Sequence, residues 1–339
     1  MKINDVNKIL CIKPRGIGDI VLSTIVLDNL KARFPSAKID YLTEHFAKSA
    51  VENNPLVNKV ITIDKKEFPL KAALKIRKEN YDMILDLWSN PRSAQITFLS
   101  GVKYRVGFAY RGRKYAYNLP ATSSKGENHS AEHNLELLKA IDVPVISKKV
   151  HFYVNEKDDN AAKDFIKDNI NTGKIIIGII PSGGWPSKRC DASKWVEIGK
   201  AVTEKYNAEI IILWGPGDED DADYIMKNLP GSIRAPKTTI SEMSGYIKNC
   251  SIVLANDSGP MHIAAALNIP TLGIFGPTNP GAHGPYSENS AYVIKEDLFC
   301  IICNLLECPY HHECMFQLPV DSVLNKIDKI GSNLLAKNA

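Results

Sequence analysis

The sequence predicts an α/β protein with two doubly wound domains, each a parallel sheet covered by helices. In the first half, an apolar run at residues 9–12 passes through a glycine-containing turn into helical spacing at 20–34, and a second strand follows at 38–42. The second half repeats this order of strand, turn and helix from residue 174 onward. Parallel neighbours need such a crossover, so both halves are expected to form sheets of parallel strands.

Further elements follow the same plan along the chain. Strands are expected at 60–63, 83–87, 209–214, 252–255 and 271–275, and helices at 70–79 and 195–206. A polar helical stretch at 155–172 separates the halves, which gives a first domain over 1–155 and a second over 172–319. Residues 320–339 have the apolar spacing of a helix that could return to the first domain. The two domains are expected to face each other across a cleft, with ligand at the carboxyl ends of the strands.

Length and composition exclude several classes of protein. At 339 residues the chain is long enough for two domains, and 44% apolar with 24% charged residues is typical of a folded globular protein. A net charge of +4 argues against a general nucleic-acid binder. There is neither a long apolar run nor a secretion signal, so we expect a cytoplasmic protein. Its seven cysteines should then be reduced thiols or metal ligands.

A motif that joins a strand to a helix lies at the centre of the second half. The apolar run at 252–255 ends in a polar turn, Asp257-Ser258-Gly259, and a helix of small residues follows. Such a turn presents free backbone N–H groups and the positive end of the helix dipole, which suit a phosphate. The alternative is that Asp257 or Ser258 only caps the helix while Gly259 permits the turn. His262, one turn into the helix, is as compatible with a phosphate contact as with simple packing.

A second glycine-containing turn follows the strand at 174–180. Gly183 and Gly184 let backbone amides approach a ligand, Ser182 lies in the same turn, and Lys188 with Arg189 supplies positive charge beside them. These residues indicate a diphosphate clamp, and the alternative is an exposed loop with incidental charge.

The next strand also ends in a glycine-rich turn, Trp214-Gly-Pro-Gly217, and acidic residues follow it. A carboxylate there would accept hydrogen bonds from ribose hydroxyls, as acidic residues do at comparable strand ends. Asp221 and Asp223 resemble a metal-binding pair, but the same acids would complement the helix dipole in the first turn of a helix.

The first turn of the chain, Gly16-Ile-Gly18-Asp19, is neither a dinucleotide-binding fingerprint nor a Walker A loop. Val21 stands where the fingerprint needs its third glycine. Asp19 is interpreted either as the N-cap of the following helix or as a general base whose pKa burial would raise. Spacing alone favours the cap.

Residues 102–118 combine basic and aromatic side chains without an acid between them. The basic members proposed for acceptor binding are Lys103, Arg105, Arg111 and Arg113. They could grip an anionic acceptor or lie against an anionic membrane surface. Nucleic-acid binding and a plain solvated loop are the alternatives.

Four cysteines lie close together near the end of the chain: Cys300, Cys303, Cys308 and Cys314. They could hold a tetrahedral zinc ion, but their spacing does not match the common finger patterns. Reduced thiols that pack a loop are the alternative, and the spacing slightly favours them.

With these motifs assembled, the sequence resembles glycosyltransferase family 9, the lipopolysaccharide heptosyltransferases. The matching features lie in family order along almost the whole chain: Gly18-Asp19, Lys188, Trp214-Gly-Pro-Gly217, Asn256-Asp257-Ser-Gly-Pro-Met-His262, Phe275-Gly-Pro-Thr278 and the cysteine cluster. The resemblance implies the GT-B architecture of two facing Rossmann-like domains, the first binding the acceptor and the second the nucleotide sugar.

The resemblance also implies a reaction. It is an inverting, metal-independent transfer of heptose from ADP-heptose to a lipopolysaccharide core acceptor, Kdo-lipid A or inner-core heptose, without a cofactor. Asp19 matches the family's catalytic base, Lys188 the lysine that neutralises the diphosphate, and Glu219 the ribose contact. Four further residues match positions around the phosphates: Asp257, Ser258, Gly259 and His262. The acceptor would be an anionic glycolipid, with the enzyme in peripheral contact with the cytoplasmic face of the inner membrane.

Three alternatives to this function stay open. They are a transferase for another nucleotide sugar or acceptor, a non-catalytic nucleotide-binding protein, and a zinc-stapled interaction protein. The family often has Trp-Pro soon after the lysine, whereas this chain has Cys190-Asp191 there. This departure concerns the identity of the donor and not the type of reaction.

Overall fold

The computed structural model describes residues 3, 5–123, 126, 128–171 and 173–332. The chain forms two compact units, Met1–Tyr153 and Val154–Ala339. The polar stretch expected to join the domains therefore belongs to the second unit. It forms a helix that packs against another helix of that unit, because Gly245 allows a close approach. A Cβ atom at Gly245 would lie 2.4 Å from the carbonyl oxygen of Asp158.

The described part of the first unit contains one sheet of parallel strands. Its strands are β1 (Lys8–Ile12), β2 (Lys38–Glu44), β3 (Lys59–Ile63), β4 (Met83–Asp86), β5 (Tyr104–Phe108) and β6 (Leu119–Ala121), in the order β3-β2-β1-β4-β5-β6. The helices are α1 (Ile17–Ser23), α2 (Leu27–Arg33), α3 (Pro69–Arg77), α4 (Pro91–Ser100) and α5 (Ser130–Lys139). Short 3₁₀ helices lie at Thr24–Val26, His45–Ala50 and Lys114–Ala116.

The described part of the second unit contains a second parallel sheet. Its strands are β7 (Ile176–Ile180), β8 (Glu209–Ile212), β9 (Ile233–Arg234), β10 (Ile252–Asn256), β11 (Thr271–Ile274) and β12 (Ser290–Val293), in the order β12-β11-β10-β7-β8-β9. The helices are α6 (Glu156–Asn169), α7 (Ala192–Tyr206), α8 (Glu219–Asn228), α9 (Ile240–Lys248), α10 (Gly259–Ala266), α11 (Pro280–His283), α12 (Glu313–Phe316) and α13 (Val320–Ile330), with a 3₁₀ turn at Pro186–Lys188. Among the described helices, none combines the length and the apolarity that crossing a membrane requires.

Both sheets have the same strand order when each is counted from its own first strand. In each, the order reverses between the first and the fourth strand, so that β1 pairs with β4 and β7 pairs with β10. Doubly wound sheets bind ligands outside the carboxyl ends of the strands at such a reversal. The predicted fold class, two Rossmann-like doubly wound units, is confirmed, and it directs attention to the turns after these four strands.

The two strands at the reversal point of the second sheet are buried along their whole length. Every residue of β7 and of β10 is buried, as expected for parallel strands that helices cover on both faces. Trp195 of α7 is fully buried and packs in the same core as Ile177 and Leu254. The strands at the reversal point therefore form a fixed base for the turns that follow them.

The helix predicted at 20–34 is divided into α1, a 3₁₀ turn at Thr24–Val26 and α2. The hydroxyl groups of Ser23 and Thr24 donate to the carbonyl oxygens of Ile20 and Val21, each at 2.7 Å. Such bonds to the preceding turn compete with the regular helical pattern and bend helices. The sequence spacing predicted the helical face correctly but not this break.

The last described helix, α13, is grouped with the second unit, and the return of residues 320–339 to the first domain stays a prediction. Val323 and Ile327 are buried in the second-unit core. The hydroxyl of Tyr206 on α7 donates to Asp328 at 2.9 Å. Helix α13 packs against α7 and β12, and residues 333–339 of the predicted helix lie outside the described residues.

Candidate functional site

The turns after β7 and β10 are cross-linked by a buried asparagine. The side-chain amide of Asn256 donates to the carbonyl oxygen of Pro181 at 2.6 Å, and its oxygen accepts the backbone N–H of Cys190 at 3.2 Å. Asn256 is fully buried at the end of β10. Its place in the motif after β10 did not by itself indicate a role. Its hydrogen bonds fix the turn that carries Lys188 against the turn that carries Asp257.

Lys188 and Asp257 form a short ion pair at this reversal point. The Lys188 Nζ lies 2.6 Å from the Asp257 Oδ2, and the Lys188 side chain is 15% exposed while that of Asp257 is 7% exposed. The hydroxyl of Thr278 donates to the same carboxylate oxygen at 2.6 Å. The Lys188 ammonium also lies over the ring of Trp185, 4.3 Å from its centroid. The structure thus brings together two residues that the sequence placed in separate motifs.

Helix α10 begins beside this ion pair. Its N-cap is Ser258, but neither Ser258 nor Asp257 caps the helix through its side chain, so the capping alternative is wrong. The Ser258 hydroxyl oxygen is buried and has no hydrogen-bond partner in the described structure. Gly259 is the first residue of the helix, and the buried His262 lies one turn further. A helix N-terminus, an uncommitted hydroxyl and a nearby ammonium together suit a phosphate group.

The turn after β7 holds a second charged group, which is already neutralised. Arg189 pairs with Asp218 and, at 2.9 Å, with Asp221. Burial alone would lower the pKa of Arg189, but its hydrogen bonds and charge interactions with these two acids raise it. The hydroxyl of Ser182 also donates to Asp218 at 2.5 Å. Arg189 is thus engaged by two acids, whereas Lys188 pairs with one carboxylate, that of Asp257, which lies just before the α10 N-terminus.

The two glycines of this turn differ in surroundings. A Cβ atom at Gly183 would lie 2.8 Å from Cγ of Arg189, whereas one at Gly184 would meet no atom within 4 Å. Gly183 is therefore required by packing against Arg189. Gly184 is exposed and leaves its backbone accessible.

The acids after β8 form the first turn of α8, as one of the two interpretations predicted. Asp221 pairs with Arg189 and Asp223 with Arg234, so they do not form the suspected metal-binding pair. Glu219 is partly exposed, and its carboxylate accepts the backbone N–H of Gly217 at 2.7 Å. Hydrogen bonds from its own N–H and that of Gly217 lower the pKa of Glu219. The sequence missed Asp218, the buried acid that organises the turn.

In the first unit, Asp19 lies in the turn after β1. Gly16 is the N-cap of α1, and its φ of 79° is one that side chains rarely adopt. A Cβ atom at Gly16 would also lie 2.4 Å from Asp19 Oδ2. The side chain of Asp19 makes no capping hydrogen bond and is 49% exposed, so neither the cap nor a buried base describes it. The carboxylate is held at the edge of the sheet and is accessible to a substrate.

Lys13 is the partner of Asp19 that the sequence analysis did not assign. Its Nζ lies 3.8 Å from Asp19 Oδ1 and donates to the carbonyl oxygen of Leu87, which follows β4, at 3.1 Å. The same ammonium lies over the Trp88 ring, 4.9 Å from its centroid. Lys13 therefore connects the turns after β1 and β4, the reversal point of the first sheet.

The basic residues of 102–118 do not form one patch. Lys103 precedes β5, whereas Arg111 and Arg113 follow it, so they lie at opposite ends of the strand. Arg105 donates to the carbonyl oxygens of Val102 and Ala116, at 2.7 and 3.0 Å, and serves the fold. Arg113 donates to the carbonyl oxygen of Ser89 at 3.1 Å, after β4. Arg111 and Arg113 are the two that lie at the same edge of the sheet as Asp19.

The stretch that carries the four cysteines, residues 300–314 and called here the cysteine segment, braces two turns of the second unit. The hydroxyl of Ser187 donates to the carbonyl oxygen of Leu305 at 2.6 Å, and a ring nitrogen of His312 lies 2.7 Å from the carbonyl oxygen of Ser187. The N–H of Asn304 donates to the carbonyl oxygen of Pro277 at 2.7 Å. The segment thus holds both the turn of Lys188 and the turn of Thr278.

The four thiols of this segment lie near one another without a bridge. Burial, together with the charges of Cys308, Cys300 and Cys303, raises the pKa of Cys314 to about 11. Within the described ranges, no group of three or more His, Cys, Asp or Glu side chains is placed to hold a metal ion. The zinc alternative stays a prediction that metal analysis of the purified protein would test.

Comparison with known proteins gives the same assignment as these motifs. Residues 70–312 match the model of glycosyltransferase family 9 (heptosyltransferase). The chain belongs to glycosyltransferase family 9. It is 27% identical to lipooligosaccharide heptosyltransferase 2 of Haemophilus influenzae, over 95% of this chain and 99% of that one. The family resemblance seen in the sequence is confirmed, and the chain is a glycosyltransferase.

Solved structures of family 9 share the fold. A family 9 glycosyltransferase from Veillonella parvula superposes with a TM-score of 0.85 at 19% identity, covering 97% of this chain and 98% of that one. The Escherichia coli ADP-heptose lipopolysaccharide heptosyltransferase II gives 0.78 at 21% identity, with 96% and 99% covered. At these identities the likeness establishes the two-unit GT-B architecture.

Cys190 and Asp191, which stand where the family often has Trp-Pro, have structural roles in this chain. Cys190 is buried, and its thiol donates to the carbonyl oxygen of Met315 at 3.7 Å. Asp191 is the N-cap of α7 and accepts the N–H of Ser193 at 2.9 Å. Both residues anchor the turn of Lys188, so this family 9 member positions its lysine with a buried thiol and a helix cap.

Proposed function

We propose that the chain transfers heptose from ADP-heptose to a lipopolysaccharide core acceptor, Kdo-lipid A or inner-core heptose, with inversion and without a metal ion. The observation that carries this proposal is the arrangement at the second reversal point. Lys188, the α10 N-terminus and the uncommitted Ser258 hydroxyl lie together in a member of a heptosyltransferase family. Such groups stabilise the negative charge that grows on a departing diphosphate, which is the task a divalent ion has in other transferases.

The donor is assigned to the second unit. Its diphosphate would lie against the first turn of α10, with Lys188 and the amides of Gly184 and Gly259 as donors. Glu219 follows β8, the strand beside β7, where acidic residues accept hydrogen bonds from ribose hydroxyls in related folds. His262 lies one turn into α10, within the same helix end. Asp257 would hold Lys188 in place.

The acceptor is assigned to the first unit, with Asp19 as the base. Its carboxylate takes the proton of an acceptor hydroxyl, and that oxygen forms a bond to the anomeric carbon of heptose. The bond from that carbon to the diphosphate breaks on the opposite face, and ADP departs with the electron pair. Arg111 and Arg113, at the same edge of the sheet, would meet anionic groups of the acceptor.

A lipid-anchored acceptor also sets where the enzyme works. Lipid A stays in the bilayer, so the proposed reaction takes place at a membrane surface, which we assign to the cytoplasmic face of the inner membrane. The basic residues at 102–118 were expected to supply this contact. Lys103 precedes β5 and Arg105 is bonded to backbone carbonyl oxygens, so Arg111, Arg113 and Lys114, which all follow β5, remain for it.

The first test replaces the base. Asp19→Asn keeps the shape of the side chain but removes its charge, so kcat for heptosyl transfer should fall by about 10²- to 10⁴-fold while the dissociation constant of ADP is unchanged. Transfer from ADP-heptose is followed by ADP release, and ADP affinity is measured by calorimetry. Asp142→Asn is the control, because Asp142 is exposed and has a φ of 51° that asparagine tolerates. Equal turnover in Asp19→Asn and Asp142→Asn would exclude Asp19 from the mechanism.

A further inference from the structure

An exposed apolar surface lies at the carboxyl ends of β2 and β3. Phe46 is 56% exposed, Phe68 78% and Leu70 54%. Phe46 is on the 3₁₀ helix that follows β2, and Phe68 and Leu70 are at the start of α3, just after β3. We call these three residues the apolar edge patch. Single exposed apolar residues are common, but three on adjoining segments at one sheet edge mark an interaction site.

The segments that carry the apolar edge patch are held rigidly. His45 lies 3.5 Å from Asp64, which ties the 3₁₀ helix to the loop before α3. Arg92 of α4 donates to the carbonyl oxygens of Asp64 and Glu67, at 2.6 and 2.9 Å. The Phe68 ring is therefore presented to solvent by a braced loop.

Helix α3 extends the patch along one face. Its inner face, Ala72, Ala73 and Ile76, is buried, and the helix packs against α4. Leu70 and Leu74 are four residues apart and point the other way, with Leu74 47% exposed. These two leucines are not part of the buried core. They form an apolar strip on the solvent-exposed face of α3.

The surroundings of the patch are strongly basic. Residues 64–78 contain six lysines and arginines against two acids, a surplus as large as the net charge of +4 of the entire chain. Of the acids, Asp64 faces His45, and Glu67 is buried and pairs with Lys75 at 2.8 Å. Five exposed cations of this stretch make no ion pair in the described structure: Lys65, Lys66 and Lys71, which lie next to Phe68 and Leu70 in the sequence, and Arg77 and Lys78 at the far end of α3. Apolar side chains bordered by unpaired lysines are the signature of a surface that binds anionic lipid.

We propose that the apolar edge patch and its three lysines dock the first unit onto an anionic bilayer, with Phe68 and Leu70 inserted at the headgroup level. The inference rests on the proposed lipid-anchored acceptor and names the surface that meets its membrane. The 3₁₀ helix of Phe46 contacts α1, which carries Asp19. A saccharide that emerges from the bilayer beside the patch would thus have a short path to the proposed base.

Vesicle co-sedimentation of the full chain tests this surface. Wild-type protein should bind vesicles of phosphatidylcholine with about 30% phosphatidylglycerol and should bind vesicles of phosphatidylcholine alone far less. Its binding to the anionic vesicles should weaken as the salt concentration rises. Phe68→Ser with Leu70→Ser should lower the partition coefficient about tenfold or more, because their apolar area no longer leaves water. The triple variant Lys65→Gln, Lys66→Gln and Lys71→Gln should lose about tenfold at low salt.

Matched controls come from the second unit. Phe316→Ser removes another exposed phenylalanine (54%), and a triple change to Gln at Lys200, Lys227 and Lys329 removes the same charge from exposed sites. The controls should bind vesicles as the wild type does. Failure of the wild type to bind anionic vesicles, or equal losses in patch and control variants, would overturn the proposal. Binding needs neither donor nor turnover, so intact vesicle binding without heptosyl transfer would refute the proposed function and still support the patch.

Discussion

Lys188 is the side chain on which the proposed donor site depends most. Its ammonium is held between the Asp257 carboxylate and the Trp185 ring, and Thr278 donates to the same carboxylate. Both members of the ion pair are largely buried, so removing one leaves an unpaired charge in a poorly solvated place. The pair therefore contributes to both stability and ligand binding, and the two contributions can be separated.

We expect Lys188→Met to weaken ADP binding about 10- to 100-fold, since a charged hydrogen bond contributes about 1.5–3 kcal/mol. The same variant should lose about 2–3 kcal/mol of unfolding free energy, because Asp257 is left unpaired. Calorimetric titration with ADP and urea unfolding measure the two effects.

A double variant separates binding from folding. Adding Asp257→Asn to Lys188→Met removes the orphaned charge, so stability should largely return while ADP affinity stays low. Lys205→Met is the control, because Lys205 pairs with Asp328 on a surface where it is 40% exposed. Recovery of ADP affinity in the double variant would contradict the role of Lys188.

The role of Asp19 could be predicted only in part from the residues next to it in the sequence. Spacing favoured an N-cap, because a carboxylate near a helix start usually has that role. The helix instead begins at Gly16, whose positive φ sets the start one turn earlier than a cap at Asp19 would. Helix starts depend on backbone dihedral angles that composition does not encode, so only the structure shows that the Asp19 carboxylate does not cap the helix and lies beside Lys13.

At the scale of elements, α6 and α9 are joined by one buried acid. Asp159 accepts from Lys163 on its own helix, and from Lys248 and Asn249 at the end of α9. Burial alone would raise the pKa of Asp159, but these hydrogen bonds lower it to about 2. The pKa of an unfolded aspartate is about 3.9, so the charged form stabilises this contact above pH 4 and its contribution is lost as the pH falls toward 2.

We expect Asp159→Asn to lower the unfolding free energy by about 1–2 kcal/mol at pH 7, since both lysines are exposed and can be solvated again. The difference from wild type should shrink as the pH falls from about 4 to about 2. Urea unfolding at several pH values measures it. Asp164→Asn on the exposed face of α6 is the matched control and should show no such pH dependence. A constant difference over this range would contradict the assignment.

Elements were most predictable where burial is continuous. The strands β1, β7 and β10 follow directly from short apolar runs, because parallel strands covered on both faces need no polar alternation. The division of the helix at 20–34 was missed, because the hydroxyls of Ser23 and Thr24 act on carbonyls three residues back. Apolar spacing carries no information about such competition.

At the scale of the whole molecule, the sheets of the two units have the same strand order but carry different charged groups at their reversal points. The first presents a carboxylate, Asp19, with Lys13 beside it. The second presents Lys188 and the α10 N-terminus. If donor binding belongs to the second unit, ADP should stabilise that unit in particular.

Tryptophan fluorescence tests this, because Trp88 is in the first unit and the other three of the four tryptophans are in the second. In a Trp88→Phe background the signal therefore reports on the second unit. ADP at about 100 times its dissociation constant should add about 2.7 kcal/mol to the unfolding free energy measured this way. The Lys188→Met change in the same background should reduce the gain to about 0.4–1.4 kcal/mol at that ADP concentration, because its ADP affinity is expected to be 10- to 100-fold lower. An unshifted fluorescence transition would place ADP elsewhere or exclude its binding.

The sequence by itself determined the two doubly wound units, the turns that end β1, β7 and β10, and the family, because each depends on residues that are neighbours along the chain. The tertiary structure decided which of those residues meet. Lys188 pairs with Asp257, and Arg189 pairs with Asp218. Lys103 and Arg113 lie at opposite ends of β5, and the cysteine segment contacts the turn that carries Lys188 and the turn that carries Thr278. These outcomes depend on contacts between residues far apart in sequence, whose distances are fixed only when the strands pair and the helices pack.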